Sequence, residues 1–217
     1  MGEVQLDDVN RLALVHADLY FYGNAANGLL SEAIAADIAG HWNEPGAAVE
    51  INDVWYAVRF IITGSHASGL TATEVYRNVN PRNNYFRIET FVRGNVSFVD
   101  GVPCNTGYFK LDNLLNNSTT AAHEFGHTIG LRHPGILDIR GKGIPAIMYP
   151  RGTIVDPPFQ YDSTAAPGQP GGTMNPFTRK VLLDDIAALR LHALPFDDTG
   201  KAVLGDFTSV WHEAHQP

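Results

Sequence analysis

Apolar positions change period twice in the first third of the chain. From Leu12 to Tyr22 they alternate, with Ala13, Val15, Ala17, Leu19 and Phe21 on one side, which predicts a strand. His16 and Asp18 fall on its other, solvent-facing side. After the turn-rich link Asn24 to Gly28, Leu30, Ile34, Ile38 and Trp42 recur every four residues. That spacing predicts an amphipathic helix from about Leu29 to Trp42, ended by Pro45-Gly46. Val54 to Thr63 returns to alternation but is largely apolar on both faces: Val54, Tyr56, Val58, Phe60 and Ile62 on one, Trp55, Ala57, Arg59 and Ile61 on the other. A strand apolar on both sides belongs in the middle of a sheet. Strand, helix, strand is also the order that a right-handed crossover unit requires.

Farther along, Thr71-Ala72-Thr73-Glu74 has the spacing of a capping box for a short helix ending near Asn78. Phe86 to Val92 and Asn95 to Val99 read as strands joined at Arg93-Gly94, with another at Tyr108 to Leu111. Asn116-Asn117-Ser118 supplies cap residues for a helix from about Thr119 to Leu131. Arg151 to Asn175 is rich in Pro and Gly without a period, as expected of a functional loop or a plain linker. Asn175-Pro176 starts a last helix, running to about His192 with Val181, Leu182, Ile186 and Leu189 as its apolar stripe. The tail, 195–217, has no usable pattern, and His212 and His215 in it read as exposed and idle. The expected fold class is α+β with an α/β-type beginning: one domain, a twisted mixed sheet of about five strands, and two main helices beyond the crossover.

Composition narrows the function classes. Of 217 residues, 44% are hydrophobic and only 18% charged, enough for one sizeable core and unlike a disordered chain. The net charge of −8 argues against nucleic acid or an anionic membrane surface as partner. No apolar run approaches the ~20 residues of a membrane span. The single cysteine, Cys104, excludes an intramolecular disulfide and reads as a small buried residue rather than a reactive thiol. Met1 to Gln5 has neither a basic start nor an apolar stretch, so no signal peptide is visible.

The chemistry is concentrated in eleven residues. His123-Glu124-Phe125-Gly126-His127-Thr128-Ile129-Gly130-Leu131-Arg132-His133 spells H-E-x-x-H-x-x-G-x-x-H. Five fixed positions, three of them histidine, arise by chance in roughly one chain in 10⁵ of this length. His123 and His127 are four apart, so a helix presents both rings on one face. Gly130 can take the left-handed conformation that ends a helix and turns His133 back as a third ligand. Three protein ligands leave zinc a fourth position for water, the catalytic arrangement. Glu124, one step round the helix from His123, is placed to take a proton from that water.

These residues resemble the metzincin clan of zinc endopeptidases. Ala146-Ile147-Met148-Tyr149-Pro150 is similar to that clan's Met-turn, with Met148 as an apolar floor under the histidines. The wording H-E-F-G-H-x-x-G-L-x-H and I-M-Y-P is similar to the matrixins, whereas Pro134-Gly135 after the third histidine resembles the serralysins. The resemblance implies a metzincin-like fold with one catalytic zinc on His123, His127 and His133, and Glu124 as general base. It divides the chain into residues 8–133 with sheet and zinc helix, and 134–194 with the Met-turn and a C-terminal helix. It gives Tyr149 and Pro150 to substrate binding and makes residues 150–162 a wall of the specificity pocket. Asp184-Asp185-Ile186 is similar to the D-D-I of the matrixin C-terminal helix, which packs under the active site. Pro150 replaces the tyrosine that serralysins and astacins carry there, so no tyrosine ligand is expected. His41 and His66 are candidates for a second, structural zinc, although the family's surrounding ligands are missing, and no calcium loop of known spacing is seen. The expected partner is a protein or peptide bound along an edge strand, with Asn95 to Val99 and the Asn105–Leu111 region as candidate rims. The resemblance also implies a secreted or extracytoplasmic location. Three activities fit: a general endopeptidase, an effector or toxin peptidase with one target, and a zinc-stabilised binding module without turnover.

Overall fold

The computed structural model describes residues 1–216. The chain begins with an antiparallel pair, β1 (Gly2–Asp7) and β2 (Leu12–Tyr22). The predicted inner face of β2 is buried throughout, from Ala13 to Phe21. His16 and Asp18 on the opposite face are half-buried rather than exposed, and Asp18 accepts a hydrogen bond from the Thr63 hydroxyl at 2.6 Å. The helix α1 (Gly28–Asn43) follows, capped by the Asn27 side chain, which accepts from the Leu30 N–H. Ile34, Ile38 and Trp42 face the sheet, as their spacing requires. Contact with the sheet is backbone-close: a Cβ on Gly64 would stand 2.1 Å from the Ser31 carbonyl oxygen.

β3 (Ala48–Ile51) is a short antiparallel edge beside β4 (Val54–His66), and β4 runs parallel to β2 from Leu12↔Ala57 to Phe21↔His66. The crossover through α1 is therefore formed. One expectation for β4 fails, because Tyr56, Val58 and Phe60 are buried while Trp55, Arg59 and Ile61 are exposed. The strand is internal to the sheet but not covered on both faces. The sheet carries its main core on one side only, so the outer apolar residues of β4 face solvent.

The helix α2 (Ala72–Tyr76) has the predicted capping box between Thr71 and Glu74. β5 (Asn83–Glu89) pairs in parallel with the second half of β2, and β7 (Thr106–Lys110) in parallel with β5. β6 (Phe98–Val99) is antiparallel to β7 at the edge. The strands expected on either side of Arg93-Gly94 therefore do not pair with each other. Both edges of β5 are already bonded, to β2 and β7, so β6 passes over to the free edge of β7. The order is β3-β4-β2-β5-β7-β6, with β1 on the first half of β2; including β8 (Lys201–Leu204), which pairs with β1, there are eight strands among the described residues rather than about five.

The main core joins β2, α1, β4, β5 and β7 to α3 (Thr120–Thr128) and α4 (Leu183–Ala188). Trp42 ties α1 to α3: its indole N–H donates to the Ala122 carbonyl at 3.0 Å and its ring meets Phe125 edge-on at 5.9 Å. Each fully buried large side chain of this kind contributes about 1.5–3 kcal/mol.

The C-terminal part departs most from expectation. The long helix from Asn175 to His192 does not form. Asn175 caps only a single 3₁₀ turn, Pro176–Thr178, and α4 starts at Leu183. Residues 179–182 are extended because the Lys180 N–H is taken by the Pro145 carbonyl at 3.0 Å. Val181, Ile186 and Leu189 are nonetheless buried, as an apolar stripe should be. The stretch from Arg151 to Asn175 folds round a small core of Ile139, Val155 and Met174, with bridges Asp138↔Ile154 and Gln160↔Met174. A plain linker is excluded.

The tail is not idle. Beyond β8 it lies along the sheet, with Trp211 stacked on Tyr22 at 4.7 Å and His215 on Tyr108 at 4.2 Å. His212 Nε2 meets the Asp100 carboxylate at 2.8 Å. Aromatic stacking, this histidine–carboxylate contact and scattered hydrogen bonds, none of them periodic, hold it there. Cys104 is buried, as expected, with its Sγ against the Thr208 carbonyl at 2.6 Å. No helix among the described residues is long and apolar enough to cross a membrane.

Candidate metal centre

The helix α3 is buried along its whole length, which is unusual for a segment carrying five polar residues in nine. Its start is satisfied by Ser118, whose Oγ accepts from the Thr120 N–H at 3.3 Å, while Asn116 and Asn117 take positive φ in the turn before it. Its end comes at Thr128, three residues earlier than the sequence predicts. The Gly130 N–H reaches the His127 carbonyl at 3.0 Å and the Leu131 N–H the Gly126 carbonyl at 2.9 Å, the two bonds of a Schellman motif. Gly130 has φ +101°, a conformation that a Cβ would strain. This turn is what returns the chain and delivers His133.

The three imidazoles converge. His133 Nε2 lies 3.0 Å from His123 Nε2 and 3.1 Å from His127 Nε2. His123 Nδ1 lies 2.7 Å from the Ile147 carbonyl, and His127 Nδ1 2.7 Å from the Leu131 carbonyl. A carbonyl can only accept, so both Nδ1 atoms carry the proton and both Nε2 lone pairs face inward. Lone pairs at these separations repel unless a cation lies between them. Nitrogens about 2.0–2.1 Å from a tetrahedral zinc stand somewhat over 3 Å apart, so the donor set fits that metal. Burial first, and then the Arg179 charge, lower the proton affinity of His123 and His133; burial also leads for His127. Neutral rings are what a metal needs. Among the described residues this is the one group of three or more His, Cys, Asp or Glu placed to hold an ion. His41 and His66 join no such group; His41 stands beside Asp37 at 3.5 Å.

Glu124 is buried beside His123, with β6 over it. Burial pushes its carboxyl up to about 8, opposed by the Arg179 charge and the Val99 backbone N–H. Met148 lies under the helix: a Cβ on Gly126 would fall 2.3 Å from its sulfur. The turn holding it is closed by the Tyr149 N–H on the Ala146 carbonyl at 3.2 Å. Asp185 braces that turn from α4, its buried carboxylate accepting from the Leu182 N–H at 2.8 Å and interacting with the Ile147 backbone.

Two cavities flank the triad. One of about 510 Å³ is bounded by β6, Val102, His127 and Arg132. The other, about 340 Å³, is bounded by Val96, Ser97, Pro150, Arg151 and Arg179. Pro150 therefore reaches the cleft, whereas Tyr149 turns toward the neighbouring cavity of about 580 Å³ with Met148 and Ile139. Of the two candidate rims, only the Asn95–Val99 stretch borders the triad through Ser97, Phe98 and Val99; β7 is buried between β5 and β6.

Arg179 is the residue that sequence reasoning missed. It is 4% exposed, donates from Nε to Thr119 Oγ1 at 3.0 Å and from Nη1 to the Tyr149 carbonyl at 2.9 Å. Its Nη1 also stands 2.9 Å from His123 Nδ1, but that atom is already committed as a donor to Ile147, so the contact is not a hydrogen bond. Arg179 sits in a polar N-P-F-T-R-K run that signals a helix start, and no local pattern marks a buried cation.

No protein-family model matches this chain, and no curated protein does. A solved structure, the archaemetzincin of Methanopyrus kandleri, is 14% identical, aligned over 62% of this chain and 81% of that one, with a TM-score of 0.33. So slight an overlap carries neither fold nor function across.

Proposed function

We propose that this protein is a zinc-dependent endopeptidase of metzincin type, hydrolysing peptide bonds in protein or peptide substrates. The observation that carries the reading is the inward set of three Nε2 atoms, two with Nδ1 pinned to carbonyls, beside a buried carboxylate. His123, His127 and His133 would hold the metal. When bound there, zinc supplies an acidified water and a positive charge for the oxyanion that develops at the scissile carbonyl.

The chain's own residues do the rest. The free edge of β6 offers main-chain groups to an extended peptide, which lies across the triad between the two flanking cavities. Glu124 takes the proton of the attacking water and passes it to the departing amine. Burial raises its carboxyl, and the positive charge of a bound metal would lower it again toward the ionised form that accepts a proton. Met148 and Asp185 hold the turn whose Ile147 carbonyl orients His123. The matrixin-like wording of the motif and of the Ile147–Pro150 turn supports placing it near that subgroup.

The test is zinc content measured together with mass spectrometry of a digested peptide library. Glu124→Ala should retain zinc and lose about 10²–10⁴ in turnover or more. His127→Ala should lose the metal on dialysis. Unchanged cleavage by the first variant, or full zinc retention by the second, would overturn the assignment.

A further inference from the structure

The smaller flanking cavity has an electrostatic character that the peptidase reading does not use. It opens beside His123, Glu124 and His133 and is walled by Val96, Ser97 and the 150–152 segment, with Arg179 in its lining. Two of the three guanidinium nitrogens of Arg179 are anchored, to Thr119 and Tyr149. Its Nη2 has no hydrogen-bond partner among the described residues; the Glu124 carboxylate lines the same cavity and acts on the Arg179 charge, but makes no direct ion pair with it. Arg151 adds a second guanidinium at the exposed wall. In a chain of net charge −8, two arginines facing one cavity stand against the general trend. A buried guanidinium with no direct ion pair is stabilised by an anion that reaches its free donor.

Resting on the peptidase reading, we infer that this cavity is a specificity pocket for an acidic side chain, aspartate or glutamate, adjoining the bond to be cut, with Arg179 as its specificity-determining residue. A guanidinium anchored through Nε and Nη1 presents its remaining donor in a fixed direction, suited to a charge-assisted bond with a carboxylate. A neutral or apolar side chain in the same place leaves that donor desolvated and unpaired. Sites that lose a buried polar partner in this way discriminate strongly.

The best-cleaved peptide of the library digest is resynthesised with both ends blocked and with Glu, Gln or Leu at each position flanking the cut. At one of these positions kcat/KM for Glu should exceed that for Gln and Leu by tenfold or more. Arg179→Gln should reduce that ratio to near one while zinc content is kept. Binding of the same three peptides to the Glu124→Ala protein, by fluorescence polarisation, should show the same order and weaken with salt. Cleavage with Glu and Gln within threefold of each other would overturn the inference and leave the peptidase reading standing. So would a preference seen only with a free C-terminal carboxylate, or one that survives in Arg179→Gln. If Arg179→Gln fails to fold, the wild-type Glu-to-Gln ratio and its change in Arg151→Gln decide. If no peptide is cut, the peptidase reading fails, and the binding ratio alone tests the pocket.

Discussion

Gly126 shows how tightly the centre is specified one residue at a time. It is a glycine inside a helix, where propensity disfavours it by roughly 1 kcal/mol. The compensation is contact: an added Cβ would lie 2.3 Å from the Met148 sulfur and 3.2 Å from Trp42 Cζ2, both buried side chains with no room to swing. Gly126→Ala should therefore destabilise by about 1–3 kcal/mol through overpacking. Gly135→Ala, where a Cβ meets nothing within 4 Å, should stay within about 0.5 kcal/mol of wild type. Urea unfolding of the two variants checks this; equal stabilities would mean that the floor under α3 is not rigid. The same rigidity explains why His123, Glu124, His127 and His133 were legible from spacing while Arg179 was not. Spacing along one helix is local, whereas Arg179 arrives from 56 residues beyond His123 through an extended segment.

α4 illustrates what short elements contribute. Six residues carry no stable helix alone, so α4 persists because Ile186 is buried and Asp185 accepts the Leu182 N–H. Burial raises Asp185 from 3.8 to about 6, partly offset by the Leu182 and Ile147 backbone N–H groups. The folded protein therefore holds a proton that the unfolded chain releases between those values. Its stabilising contribution is full below about 3.8 and is lost as pH rises through about 6. The stability difference between wild type and Asp185→Asn should fall by about 2–3 kcal/mol from pH 4 to pH 6.5. Equal pH slopes for the two proteins in urea titrations would contradict a buried, protonatable Asp185. The element was misjudged from sequence because its apolar stripe and its Asn175-Pro176 start are both genuine. The Pro145 carbonyl, a tertiary partner, captures the Lys180 N–H and keeps the two from joining into one helix.

At the scale of the molecule, the C-terminal part of the chain returns to the N-terminal strand and then to the far side of the sheet. β8 bonds to β1, and the last residues run back past β7 to Asp100 and Tyr108. This return covers Cys104, so removing residues 206–217 should expose a thiol that is otherwise inert. Labelling by an aromatic disulfide reagent should be slow in the intact native protein and at least tenfold faster in the truncated one, with a lower melting temperature. Equal labelling rates would mean that the tail does not shield the sheet.

Periodicity determined β2, α1 and the start of β4, which runs three residues beyond the expected Thr63, because a buried face imposes its repeat on the residues that form it. The eleven-residue motif likewise determined that the three histidine rings converge, since helix geometry and one left-handed glycine bring them together, while the distant Ile147 carbonyl fixes the His123 ring. Sequence did not determine which strands pair, where the apolar stripe near Val181 becomes helical, or how the tail is held. Those outcomes depend on which backbone edges remain free after other strands have bonded, and on single contacts such as Lys180 with Pro145 or His212 with Asp100. Such contacts join residues far apart in the chain and leave no repeat in it, so only the folded molecule reveals them.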